Sequence, residues 1–268
     1  MEIIGHRAAT GRPRHPGGAA ALAAALAGPA DRVELDVYAF GGRLVVAHDQ
    51  REAARPGGLT FDQALGLLGP SDRGLLADIK GAEVAGRLGR AIAERGLGRR
   101  TIVCGALDQV ELACRDSDAT PAWTLPTGRG WSIRGIDAVH GGGFGAVRRA
   151  GFDDPDQTPS AVRPDAVPRA PAGPLGWVTR RSLRRVQRAA VAGLEAGRCE
   201  VICVEERFVT PDLVGGVHRA GGRLLAWTVD DPAAARRLAG LGVDGLITNE
   251  PDLLAASVPA GSAQWSDG

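Results

Sequence analysis

Lysine is almost missing from this chain of 268 residues. Its basic side chains number 32, and all but Lys80 are arginine. Alanine, glycine and arginine are abundant, as in a GC-rich genome, so a lone lysine invites a functional reading that its neighbours must decide. Charge of one sign is also scarce: 31 acidic residues oppose the basic ones, for a net +1. General polyanion binders carry a strong basic excess, so nucleic-acid binding is not expected. No apolar run reaches the roughly 18 residues that cross a bilayer. Residues 1–7 lack the basic region and apolar core of a signal peptide. The expectation is a soluble cytoplasmic protein with no stable membrane insertion. Only four cysteines occur, at 104, 114, 199 and 203, with no Cys-x-x-Cys pair. They read as small buried hydrophobes rather than zinc ligands. No His-x-His follows the first strand, which excludes a zinc amidohydrolase pattern. No Gly-x-Ser-x-Gly elbow is present either.

What is there is a regular alternation. The length suits one α/β barrel of roughly 250 residues. A composition 44% hydrophobic and 24% charged excludes wholesale disorder. Short apolar strands are predicted at 2–6, 32–37, 75–80, 101–105, 121–125, 201–205, 223–229 and 245–248. Residues 37–40 and 44–47 flank Gly41 and Gly42 and read as a hairpin after strand two. Helices are expected after the N-caps Thr60, Thr210 and Asp231, the last two followed by proline. Another is expected over 182–196, where Leu183, Val186, Ala190, Val191 and Leu194 share one face and Arg184, Arg185 and Arg188 face outward. Eight strand–helix alternations predict a single (β/α)8 TIM barrel over 1–258. Residues 126–179 break the pattern and are expected to be a long loop after strand five, on the catalytic side. Residues 259–268 are expected to be a disordered tail.

In a barrel the C-terminal strand ends share one face, and active sites sit there. Glu34 and Asp36 lie two apart on a strand, so both point to the same side. Burying two carboxylates together is costly unless a cation neutralises them. Asp78 and Lys80 repeat that spacing one strand along. Three carboxylates without clustered histidine or cysteine form a hard oxygen site, suited to one Mg²⁺ or Ca²⁺. His6 and His48 flank the cluster as a candidate acid–base pair. Arg7 and Lys80 offer positive charge for a phosphate. His15, His140 and His218 lack such company.

These residues resemble the glycerophosphodiester phosphodiesterases. His6-Arg7 is similar to that family's opening His-Arg-Gly, and Glu34-x-Asp36 to its metal-binding Glu-x-Asp. His48-Asp49 resembles its His-Asp, and Asp78-Ile79-Lys80 its Glu-x-Lys. Trp227-Thr228-Val229 and the run from Gly242 to Pro251 are similar to its closing motifs. The order holds from Ile3 to Leu254 except in residues 126–179. The resemblance implies a TIM-barrel phosphodiesterase using one divalent cation held by Glu34, Asp36 and Asp78. His6 and His48 would be acid and base, in either order, and Arg7, Lys80 and Trp227 would meet the substrate. It further implies attack by a hydroxyl of the substrate itself, through a cyclic phosphate. The implied partner is a small glycerol-type phosphodiester. The alternatives are another phosphodiester, such as a lipid head group or a biosynthetic intermediate, or a barrel that binds a phosphorylated ligand without cleaving it. The chain departs from the family's pattern at Ala8, where the family has glycine. Arg14-His15-Pro16-Gly17 lacks the acidic residue of the family's Pro-Glu-Asn-Thr. Asp78 is one methylene shorter than the family's glutamate, and Gly105-Ala106 replaces a Ser-Phe pair.

Overall fold

A computed structural model describes residues 1–8, 18–125 and 174–257. Eight parallel strands close into a barrel: β1 (Glu2–Gly5), β2 (Arg32–Phe40), β4 (Gly74–Ile79), β5 (Thr101–Gly105), β6 (Thr120–Thr124), β7 (Val201–Glu205), β8 (Arg223–Trp227) and β9 (Gly245–Thr248). Closure comes from β1, which pairs with both β9 and β2. β3 (Arg43–Val46) runs antiparallel to the end of β2 and makes the expected hairpin. Gly41 and Gly42 both take positive φ, which lets the chain reverse within two residues.

Strand alternation separates two apolar environments. Ile4, Leu76, Ile102, Cys104, Ala122, Val201, Cys203, Leu225 and Ile247 pack together inside the barrel. Val33, Leu35, Val37, Leu75, Ala77 and Val103 point outward onto the helices. β2 inverts the usual rule: its inward positions are Arg32, Glu34 and Asp36, all buried. Gly74 sits beside Arg32 in register, and a Cβ there would lie 2.5 Å from the guanidinium, so only glycine leaves room for it. The buried cysteines 104, 199 and 203 are free thiols, as expected of small core residues.

Around the barrel lie α1 (Ala19–Ala27), α2 (Gln50–Ala53), α3 (Phe61–Leu68), α4 (Ala85–Glu94), α5 (Leu107–Cys114), α6 (Pro174–Glu195), α7 (Pro211–Arg219), α8 (Pro232–Gly240) and α9 (Pro251–Ser257). The predicted caps are present. Thr60 and Gln63 form a reciprocal capping box, while Thr210 and Asp231 accept from Leu213 and Ala234 backbone N–H groups. Val186, Ala190 and Leu194 are buried on α6, and Arg184 and Arg188 are exposed. That helix starts at Pro174, inside the stretch expected to be loop. A proline suits the first helical turn as well as a loop, so the local signal was ambiguous. The rest of that stretch, 126–173, and the tail from 258 lie outside the described residues, with His15 and His140. Among the described residues, no helix is long and apolar enough to cross a membrane.

Candidate active site

The C-terminal ends of β1, β2 and β4 bring six of the sequence-predicted residues into one network. Asp36 and Asp78 are register partners on neighbouring strands, and both face inward. With Glu34 they offer carboxylate oxygens that all lie within 4.8 Å of one another. Lys80 Nζ reaches Asp36 Oδ1 at 2.9 Å and Asp78 Oδ2 at 2.6 Å. Arg7 follows β1 in the left-handed region, at φ 54° and ψ 39°. That turn aims its backbone N–H at Glu34 Oε2, 2.6 Å away, and its Nε towards Asp36 Oδ2 at 3.1 Å. The lone lysine therefore bridges two of the three candidate metal ligands.

Charge and burial set the protonation states. Burial, followed by the charges of Asp36 and Asp78, pushes Glu34 well above the usual carboxylate range. Asp78 is also raised, chiefly by burial. For Asp36 the effect of burial is outweighed by Lys80 first, then His48, His6 and Arg7, so its pKa is lowered. The Lys80 ammonium is held well above its ordinary value, because its three carboxylate neighbours outweigh burial. One oxygen of Asp36 is buried and receives no well-formed hydrogen bond, the Arg7 Nε approaching it only as an ion pair. Excess buried carboxylate, with such an orphaned oxygen, fits a hard divalent cation held by Glu34, Asp36 and Asp78.

His6 is oriented from behind. Asn249, just past β9, donates its amide N–H₂ to Asp230 Oδ2 at 2.9 Å. Its carbonyl oxygen therefore meets His6 Nδ1, also at 2.9 Å. Nδ1 must then carry the hydrogen, leaving Nε2 with a lone pair on the carboxylate side, 4.0 Å from Glu34 Oε2. Burial lowers the His6 pKa, so the neutral ring is favoured. Asp230 also accepts from the Thr248 hydroxyl and the Asn249 backbone N–H.

His48 lies beyond β3 with an exposed side chain, and its charge acts on Asp36. Its backbone N–H donates to Glu52 Oε2 at 2.9 Å, the same oxygen that accepts from Arg7 Nη2 at 2.6 Å. Trp227 points inward from β8 against the interior cluster, separated from β2 by β9 and β1. Its indole N–H is buried and finds no acceptor among the described residues. Sequence reasoning did not single out Glu52, Asp230 or Asn249. Asn249 lay inside the closing motif, and Asp230 one residue past Trp227-Thr228-Val229. Glu52 carried only the weak signal of an acid three residues after an Asp N-cap.

Comparison with known proteins bears on the family and the fold. Residues 167–253 match the model of the glycerophosphoryl diester phosphodiesterase family. That stretch holds Trp227, Asp230 and Asn249, whereas the motifs around His6, Glu34, His48 and Asp78 precede it. A probable glycerophosphodiester phosphodiesterase of Mycobacterium tuberculosis is 48% identical over 46 residues, which span 17% of this chain and 17% of that relative's length. Two solved structures share the whole fold. One is a putative glycerophosphoryl diester phosphodiesterase of Agrobacterium tumefaciens, with a TM-score of 0.65, 14% identity and 96% coverage of both chains. The other is an Oleispira antarctica phosphodiesterase in complex with the product sn-glycerol-3-phosphate, with a TM-score of 0.59, 15% identity and 96% coverage of both chains. The family resemblance read from the sequence and the TIM-barrel architecture are both borne out.

Proposed function

From a chain that bears this family resemblance on this barrel, we propose a metal-dependent phosphodiesterase acting on a small glycerophosphodiester. The observation that carries the reading is the convergence of Glu34, Asp36 and Asp78 within 4.8 Å, with Lys80 and Arg7 against them. A bound Mg²⁺ or Ca²⁺ would polarise the phosphoryl group and stabilise the charge that develops on it. Lys80 and Arg7 would take the remaining phosphoryl oxygens, trading carboxylate partners for phosphate. Trp227 would offer its indole N–H, which has no acceptor among the described residues, to the alcohol portion of the substrate.

His6 and His48 would move the protons. One removes the proton from a substrate hydroxyl beside the phosphoester. That oxygen bonds to phosphorus as the bond to the leaving alcohol breaks, and the other histidine protonates the departing oxygen. Intramolecular attack carries effective molarities of roughly 10⁵ M or more. A cyclic phosphate and a free alcohol result, and water later opens the ring. His6 Nε2, unprotonated in the neutral ring, can act directly as the base, and as the acid only once it has gained a proton.

The test is turnover of a panel of phosphodiesters with Mg²⁺, Ca²⁺ and Mn²⁺. EDTA should abolish activity and added cation restore it; full activity in EDTA refutes the metal. A substrate analogue without the neighbouring hydroxyl should bind but resist cleavage. Cleavage at the parent rate, with ¹⁸O from water entering the phosphate directly, makes water the first nucleophile. Tight binding of every diester without turnover would identify a binding barrel instead.

A further inference from the structure

We propose that Glu52, on the short helix α2, is a positioning residue that aims Arg7 at the phosphoryl group and ties the His48 segment to it. The inference rests on the reading of Arg7 as a phosphate ligand. One oxygen, Glu52 Oε2, accepts both from Arg7 Nη2 at 2.6 Å and from the His48 backbone N–H at 2.9 Å. A single carboxylate oxygen thus joins the segment after β1 to the segment after β3. Its side chain is 16% exposed, so solvent screens the pair only in part. Asp49 caps the helix by accepting from the Glu52 backbone N–H at 2.8 Å, which fixes where the Glu52 side chain starts.

The guanidinium needs such a partner for a geometric reason. Arg7 stands at positive φ, followed by Ala8, also at positive φ. Such a backbone is strained for a non-glycine residue and persists only where its surroundings over-determine it. Glu34 holds the Arg7 backbone N–H, Asp36 draws Nε, and Glu52 takes the far end of the fork. When Asp36 turns to a cation, Glu52 is the carboxylate left to orient the guanidinium. The chain lacks an acidic residue at 14–17, and the counter-charge for Arg7 arrives from α2 instead.

A purely structural helix-cap role makes a different prediction, and Glu52→Gln separates the two. Glutamine keeps an oxygen for the His48 N–H but loses the charge that holds Arg7. In the full-length protein with Mg²⁺, Glu52→Gln should raise KM for a glycerophosphodiester about 10-fold, less than the roughly 10²-fold that a full 1 Å misplacement can cost. Its thermal midpoint should stay at the wild-type value, and Glu52→Asp should recover part of the loss. Because Glu52 acts through Arg7, Arg7→Gln with Glu52→Gln should be no worse than Arg7→Gln alone. Losses that multiply, or an Arg7→Gln defect with Glu52→Gln equal to wild type, would overturn the proposal. A readout without turnover keeps it separate from the functional reading: the ¹⁵N–¹H signal of Arg7 Nε in the metal-free protein. It should shift and broaden in Glu52→Gln. An unchanged signal refutes positioning by Glu52 even if the protein cleaves diesters. A shifted signal with no diester turned over leaves the positioning standing and removes the phosphodiesterase.

Discussion

Charged groups gather at both ends of the β1–β2 pair, and the two ends behave oppositely. At the N-terminal end, Glu2 and Arg32 form a buried ion pair, with Arg32 Nε 3.1 and 3.2 Å from the two carboxylate oxygens and the charge of Arg223 also acting on Glu2. Arg32 Nη1 also donates to the Arg100 carbonyl at 2.8 Å. At the C-terminal end, three carboxylates share Lys80 and Arg7, and Glu34 is held well above its ordinary pKa. The first arrangement sets a carboxylate directly against a guanidinium across two strands, with burial still raising Glu2 above its ordinary value. The second is short of positive charge and suits a cation and an anionic ligand. Barrels put stability at one face and chemistry at the other, and the two ends of this strand pair fit that division.

The contrast breaks most sharply at Glu34. A carboxyl whose folded pKa is raised contributes stability at low pH and loses it as pH rises through the folded value. At neutral pH, therefore, Glu34→Gln should raise the thermal midpoint of the metal-free protein. The same change should cost about 10²-fold or more in turnover through loss of a cation ligand. A fall in both would place Glu34 among the structural charges. The opposite end should answer in the opposite way. Arg32→Met leaves Glu2 buried without its partner and should cost about 3–5 kcal/mol in urea unfolding. Turnover per folded molecule should not change.

Asn249 sharpens the comparison at an intermediate scale. Asn249→Leu removes the acceptor for His6 Nδ1–H and should lower kcat by about 10-fold, less than loss of the histidine itself. Its pH–rate profile should shift as the ring tautomer is freed; an unshifted profile would make Asn249 a packing residue. The smallest effect is expected at Glu206, past the end of β7. Burial raises its pKa to about 7, and one of its oxygens is buried without a hydrogen bond among the described residues. Stability from that carboxyl is present below about 4.5 and is lost as pH rises through about 7. Glu206→Gln should match wild type near pH 5 and exceed it near pH 8, by on the order of 1–2 kcal/mol. Equal unfolding midpoints at both pH values would show that Glu206 is solvated.

The sequence by itself determined the barrel and most of its charged mouth. Apolar runs spaced by capped helices specify a parallel sheet, their number and the chain length suit a barrel, and the i, i+2 spacing of Glu34 with Asp36 and of Asp78 with Lys80 puts each pair on one side of its strand. Isolating Lys80 among arginines was enough to mark it. What only the tertiary structure decided are the contacts between segments distant along the chain. His6 takes its tautomer from Asn249, 243 residues away. Arg7 is gripped by Glu52, 45 residues on, and Arg32 finds Glu2 through barrel closure. The side-chain pattern of a strand specifies a face, but which groups from other strands share that face depends on register and closure, and neither is written in local periodicity.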